Sequence, residues 1–118
     1  MDIETVREYC LRKKGVEESM PFDDTSLVMK VMGKMFILIS LEGDNRIALK
    51  CDPDRALELR DQYRSIEPAY HFNKKHWNQV GLDGDADEHL VRELIDHSYD
   101  LVVQKFTRKM KQAYDLLP

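Results

Sequence analysis

The sequence predicts an α+β two-layer sandwich, an antiparallel five-stranded sheet with helices packed on it, in the order α-β-β-β-α-β-β-α. Three observations carry this expectation. Apolar runs at Leu27 to Met32 and Met35 to Leu41 are separated only by Gly33-Lys34, the spacing of a two-residue hairpin turn with Gly first. Arg46 to Cys51 alternates, with Ile47, Leu49 and Cys51 on one side and Arg46, Ala48 and Lys50 on the other, so this strand has one wet face. The strands follow one another through turns rather than through the long crossovers that parallel pairs require.

Asp2 is placed to cap a first helix running to about Lys14, with Ile3, Val6 and Cys10 at helical spacing. Arg12, Lys13 and Lys14 suit the negative end of the helix dipole, and Gly15 is the expected stop. Val16 to Asp24 reads as a loop, because Pro21 holds Met20 extended. Gly43-Asp44-Asn45 makes the turn before the third strand. Asp52-Pro53 then starts a helix to about Arg64 whose apolar side is Ala56, Leu57, Leu59 and Tyr63. Short strands at about Ile66 to Phe72 and Trp77 to Leu82 flank a basic turn at Asn73-Lys74-Lys75. Asp85 and Glu88 have capping-box spacing before the last helix. The apolar stripe Val91, Ile95, Tyr99, Val102, Phe106, Met110, Ala113, Leu117 continues for roughly 45 Å at 1.5 Å per residue, too long for such a domain. A break is therefore expected, with Thr107 as a second cap.

The 118 residues suit a single domain, residues 1–118, and 42% hydrophobic with 34% charged residues is globular composition. Asp and Glu total 22 against 18 Lys and Arg, a formal net charge of −4. A uniformly basic nucleic-acid coat is excluded, and any polyanion site must be a local patch. Cys10 and Cys51 sit in apolar contexts outside any CxxC pair, which favours a reduced compartment. The opening Met-Asp-Ile-Glu-Thr lacks the basic and apolar regions of a signal peptide, and the Met35 to Leu41 run is too short to cross a bilayer. The expectation is a cytoplasmic protein with no membrane partner.

Asp83-Gly84-Asp85-Ala86-Asp87 opens like an EF-hand loop, but its sixth and twelfth positions hold Glu88 and Leu94, so it reads as a helix cap. His71 and His76 lie five apart with no Cys or acid between them to complete a metal site. Cys51 with either histidine has the makings of a nucleophile–base pair, yet its strand parity turns it inward. Ser98 reads as a small packing residue within a helix. No cofactor, catalytic residue or metal site is assigned, and no enzyme is expected. The segment Tyr70-His71-Phe72-Asn73-Lys74-Lys75-His76-Trp77-Asn78-Gln79 differs, because it mixes rings, amides and cations with no acid. Cations bind phosphate, amides read base edges and aromatics stack. The same composition also fits a hairpin with core aromatics and solvated lysines.

The chain resembles the MmcQ/YjbR family of small bacterial proteins, usually described as DNA-binding. The resemblance runs from Gly15 to about Val103 and rests on motifs in a fixed order. These are Gly15-Val16-Glu17-Glu18 with Pro21-Phe22, then Lys30-Val31 with Gly33-Lys34-Met35-Phe36, then Leu49-Lys50-Cys51. Tyr70-His71 with Asn73-Lys74-Lys75-His76-Trp77, and Ser98-Tyr99-Asp100-Leu101-Val102, complete the set. Phe106-Thr107 departs from the Leu-Pro common in the family. The resemblance implies a fold like that of type III secretion chaperones and a double wing mode of DNA contact, in which β-hairpins approach the duplex. It implies contacts from Lys30 and Lys34 on the first hairpin, Lys50 on the third strand, and His71, Asn73, Lys74, Lys75, His76 and Trp77 on the last hairpin.

The functional expectation is therefore a DNA-binding module, weak and salt-dependent. Lys34, Lys74 and Lys75 would lie on phosphates, and Asn73, His76 and Trp77 nearer bases or sugars. The alternative is a protein-interaction or chaperone-like module that docks a partner or a second copy. Lysines gathered on one face with few acids favour the first; apolar patches there favour the second. Trp77 is expected at least half buried with its indole N–H near a polar partner. The acid-rich stretch from Leu82 to Asp100 is expected to point away from any duplex.

Overall fold

Asp2, Asp52, Asp87 and Thr107 each accept a hydrogen bond from a backbone N–H three residues on, and each begins a helix. In the computed structural model, which describes all 118 residues, these are α1 (Ile3–Leu11), α2 (Pro53–Gln62), α3 (Glu88–Gln104) and α4 (Arg108–Asp115). The expected break at Thr107 is present. The cap of α3 is Asp87 rather than Asp85, because buried Ala86 carries the chain into the core before the helix starts. Asp85 instead accepts from the Arg64 and Ser65 N–H groups at 2.9 and 3.0 Å and from the Ser65 hydroxyl at 2.7 Å. On α2, Ala56, Leu59 and Tyr63 occupy the inward stripe. Leu57, expected there too, falls off it by one residue and is 63% exposed.

The strands are β1 (Val16–Ser19), β2 (Ser26–Val31), β3 (Lys34–Ser40), β4 (Arg46–Lys50), β5 (Ile66–Pro68) and β6 (Trp77–Gly81). They form one antiparallel sheet of six strands, ordered β1-β2-β3-β4-β6-β5, where five were expected. The additional strand is β1, read from sequence as loop. It is short and acidic, as an edge strand is, with Val16 opposite Val31 and Ser19 opposite Val28. The first hairpin turns on Met32-Gly33, both at positive φ (50° and 77°), rather than on Gly33-Lys34. That is the backbone demanded by the type I′ turn that matches strand twist. β5 stops at Pro68, short of Phe72, because residues 69–76 leave the ladder as a loop.

Helices cover one face of the sheet only. Leu27, Met29, Ile37, Ile39, Ile47, Leu49 and Val80 point into a shared core with Val6, Cys10, Leu59, Val91, Ile95 and Tyr99. As expected from parity, Ile47 and Leu49 are buried and Arg46 is exposed. Ala48 is buried as well, contrary to the wet face assigned to it, because its small side chain sits between Leu38 and Gln79 of the neighbouring strands. No helix is long and apolar enough to cross a membrane.

Ser98 is fully buried, and it does more than fill space. The β3–β4 ladder ends at Ile37 opposite Leu49, and the next backbone groups belong to Phe36 and Lys50. Phe36 is the extra residue of a bulge against β2, where the register steps from Met29↔Ile37 to Lys30↔Met35. The Ser98 hydroxyl enters this gap, donating to the Phe36 carbonyl at 2.5 Å and accepting from the Lys50 N–H at 2.9 Å. One residue earlier, His97 Nε2 accepts from the Asp52 N–H at 3.1 Å. One residue later, the Tyr99 hydroxyl donates to the Lys14 carbonyl at 2.6 Å. Three consecutive side chains thus tie α3 to β3, to the β4–α2 junction and to the turn that follows α1.

Ser98→Ala leaves an N–H and a C=O without their partner in the interior, at a cost of about 1–3 kcal/mol per stranded group. Urea unfolding should show a loss of about 2 kcal/mol or more, and a change below about 0.5 kcal/mol would contradict the assignment. A second prediction concerns acid. The Ser65 hydroxyl, then the Ser65 and Arg64 N–H groups, hold the Asp85 carboxyl down at about 2, against 3.8 ordinarily. A depressed folded pKa gives stability that is present above the unfolded value and lost as pH falls from 3.8 toward 2. Asp85→Asn should therefore lower Tm at neutral pH and flatten the acid limb of the Tm–pH curve.

Candidate nucleic-acid interface

An antiparallel sheet sends alternate strand termini to the same end. Here the start of β1, the β2–β3 turn, the end of β4, the start of β6 and the end of β5 share one end. That end carries Lys34, Lys50, Lys74, Lys75, His76 and Trp77, which are far apart in sequence. Lys50 stands directly opposite Trp77 in the β4–β6 pair. The opposite end carries the remaining loops, and with them Asp23, Asp24, Glu42, Asp44, Asp83, Asp85 and Asp87. Net acidity and a basic patch coexist because most of the acidic loops lie away from the lysines, although Asp52 and Asp54 follow Lys50 at the basic end.

Two further cations join the basic end without having been singled out from sequence. Lys105 caps the C-terminus of α3 and is in contact with Lys50. Lys14 sits beside Gly15, whose neighbour across the sheet is Val31, and its Nζ lies 4.7 Å from the Tyr114 ring centre. Lys14 was legible as a dipole partner at the end of the first helix, Lys105 was not, and nothing local showed that either meets the strand lysines. Burial, then the Lys105 ammonium, holds the Lys50 pKa below its ordinary value.

The loop from 69 to 76 is built as a rigid projection. Asn73 Oδ1 accepts from the Lys75 N–H at 3.0 Å, and the Asn73 carbonyl accepts from His76 and Trp77 N–H groups at 3.1 and 3.0 Å. Arg60 of α2 reaches under it, donating to Asn78 Oδ1 at 2.6 Å and to the carbonyls of Lys74 and Trp77. Asn73 is thus occupied in shaping the turn, where its carbonyl side is unavailable for reading a base edge. Trp77 is more than half buried, stacked on Phe72 at 4.8 Å between centroids and 21° between planes. The expected partner for its indole N–H is absent; the ring is held by stacking instead. Lys74 Nζ lies 5.1 Å from the Tyr70 ring centre.

Lys30 and His71 stand apart from this group. Lys30 faces Glu17 across the β1–β2 pair. His71 lines a cleft on the helix-free face. Of the acids of α3, Glu88 pairs with Arg92 at 3.0 Å, Glu93 with Arg55 at 3.8 Å and Asp96 with Lys13 at 2.5 Å, whereas exposed Asp100 lies toward the Lys105 end, contrary to the expectation that the whole stretch turns away.

Cys51 and His76 do meet, but through the backbone, the Cys51 N–H donating to the His76 carbonyl at 2.7 Å. The Cys51 thiol lies in the core, and burial pushes its pKa up to about 11, so it stays protonated at neutral pH. Burial likewise pushes Cys10 up to about 12. No group of three or more His, Cys, Asp or Glu side chains converges.

Arg60 is the test of the loop's construction. Arg60→Ala should accelerate amide hydrogen exchange at residues 74–77 by at least tenfold while leaving Met29, Ile37 and Ile39 protected. Unchanged exchange at 74–77 would show that the loop holds itself.

Comparison with known proteins places this chain and its fold in a recognised group. A family model described as YjbR matches residues 11–101, which takes in every strand and most of α3. The uncharacterised protein YbdF of Escherichia coli O157:H7 is 40% identical over 107 residues, covering 90% of this chain and 88% of that protein. The uncharacterised protein YjbR of Escherichia coli K12 is 34% identical over 120 residues, covering 100% and 92%. A crystallised Deinococcus radiodurans protein superposes with a TM-score of 0.89 at 40% identity, covering 98% of this chain and 88% of its own. A Pseudomonas syringae crystal structure gives 0.73 at 28% identity, covering 86% and 98%. With matches this long in both sequence and structure, the chain belongs to the YjbR family.

Proposed function

We propose that this protein binds the sugar–phosphate backbone of nucleic acid through the basic end of its sheet, as a binding module rather than an enzyme. One observation carries the reading. Lys34, Lys50, Lys74 and Lys75, with Lys14 and Lys105 beside them, lie at one end of a fold whose acidic loops lie at the other. A molecule of net charge −4 then presents a local positive field to a polyanion and turns its repulsive surface away. The Met32-Gly33 turn and the 69–76 loop project on either side of Lys50, the arrangement that a double wing contact requires. The protonated, buried thiols of Cys10 and Cys51 support a role without nucleophilic chemistry, and a place in the reducing cytoplasm.

The apolar residues Met20, Phe22 and Leu41, 43%, 64% and 43% exposed, favour a second reading, a protein partner. They lie in loops at the acidic end, so that reading predicts an interaction indifferent to the lysines.

Few phosphates are within reach, so affinity should fall in the non-specific range, roughly 10⁻⁴–10⁻⁶ M, and weaken steeply with salt. The experiment is a salt titration of fluorescent duplex binding. Replacing Lys74 and Lys75 together by Ala should lower the log–log slope by about 2, since each neutralised phosphate contributes about 0.9. No binding at low salt, or an unaltered slope in the double variant, would remove the nucleic-acid reading.

A further inference from the structure

The helix-free face of the sheet is not flat. A cleft of about 460 Å³ runs over it, within the roughly 300–1,000 Å³ of small-molecule sites. Leu38 and Ala48 give it an apolar floor, and Gln79 adds a polar point from the next strand. Its walls come from opposite edges of the sheet, Phe22 from the β1–β2 loop and Tyr70 from the 69–76 loop.

These walls have the properties of stacking surfaces. Phe22 is 64% exposed and Tyr70 59%, so large rings stand in water beside an apolar floor that they do not fill. Gln79 Nε2 is taken by Glu67 at 3.1 Å, which leaves its Oε1 as an open acceptor. The Tyr70 wall is joined to the cation Lys74, whose Nζ lies 5.1 Å from the ring centre. An aromatic wall with an ammonium on it is the pairing that a nucleotide meets, ring to ring and phosphate to cation.

We infer that the cleft takes one unpaired nucleobase of a single strand whose flanking phosphates lie on Lys74 and Lys75. The inference rests on the proposed nucleic-acid reading and narrows it to single-stranded or locally opened substrates. A base inside a duplex is stacked on both faces and cannot enter a concave site without leaving the helix. The charge pattern also sets the direction. The far side of the cleft carries Asp23 and Glu42 together with Arg46, whose charge is taken by Asp44 at 2.9 Å, so phosphates find no unpaired cation there and the strand enters from the Lys74 side.

The test compares one oligodeoxynucleotide sequence as single strand and as duplex, in fluorescence anisotropy at low salt, with the wild type and with Tyr70→Leu and Phe22→Leu. Both positions are exposed, and leucine keeps apolar bulk while removing the ring face. The single strand should bind more tightly than the duplex. Either variant should weaken the single strand roughly five- to hundredfold, the span of one lost base stack, and change the duplex less than twofold. A 2-aminopurine in the strand should be quenched by the wild type and not by Tyr70→Leu. Equal affinities for the two forms, both still dependent on Lys74 and Lys75, would overturn the cleft assignment and leave backbone binding standing. Equal weakening of both forms by Tyr70→Leu would make Tyr70 a support for Lys74, and also overturns it. Self-association abolished by Phe22→Leu would give the cleft to a second copy of the chain. Absence of binding to either form would overturn this inference together with the reading beneath it.

Discussion

The direction in which α3 crosses the sheet rests on a hydroxyl group standing in for a strand. Where β3 bulges at Phe36 and its ladder with β4 stops, the Ser98 side chain supplies both halves of the missing backbone pairing. A longer side chain has no room in a position of zero exposure, and a small apolar one lacks the donor and acceptor. His97 and Tyr99 extend the same attachment to the Asp52 N–H and the Lys14 carbonyl. Fixed this way, α3 begins among the acidic loops at Asp87 and finishes with Lys105 beside Lys50. The tie that holds the helix also aligns its termini with the two charged ends of the sheet.

The charge segregation follows from strand order and costs little in stability. Most of the acids at the far end are individually used. Asp83 accepts from Asn45 at 2.7 Å, Asp44 from Ser40 at 2.5 Å and Arg46 at 2.9 Å, Asp87 caps α3, and Asp85 closes the α2–β5 turn. The lysines at the near end lack equivalent partners. Lys50 and Lys105 repel one another, and Lys74 leans on an aromatic ring instead of a carboxylate. Surface ion pairs ordinarily contribute about 0–1 kcal/mol, so leaving cations unpaired is a small sacrifice of stability. It keeps them free for an external anion, and Arg60 holds the loop that presents two of them.

Much of the fold was legible in the residues, for identifiable reasons. Caps at Asp2, Asp52 and Thr107 announce themselves by residue type and spacing, and the alternation around Ile47 and Leu49 sets the register of β4. β1 was hidden because Val16-Glu17-Glu18-Ser19 has the polarity of a loop, and only its pairing with β2 makes it a strand. Asp85 and Asp87 both fit a cap, and the buried Ala86 between them decides which one is. The chemistry of the basic loop was visible in Asn73 to Trp77. Its company was not: Lys14 and Lys105 join it through tertiary contacts. The Ser98 bridge was equally invisible, since a serine within a helix gives no hint that strand ends await it.

In the proposed mode of binding, the phosphates of nucleic acid meet the basic end of the sheet. Amide chemical-shift mapping with a short DNA at low ionic strength tests it directly. The largest perturbations are expected at Lys14, Gly33, Lys34, Lys50, Lys75, His76 and Lys105, with Asp44, Asp83 and Asp87 unmoved. Perturbations centred on the acidic loops, or spread evenly over the helices, would contradict it.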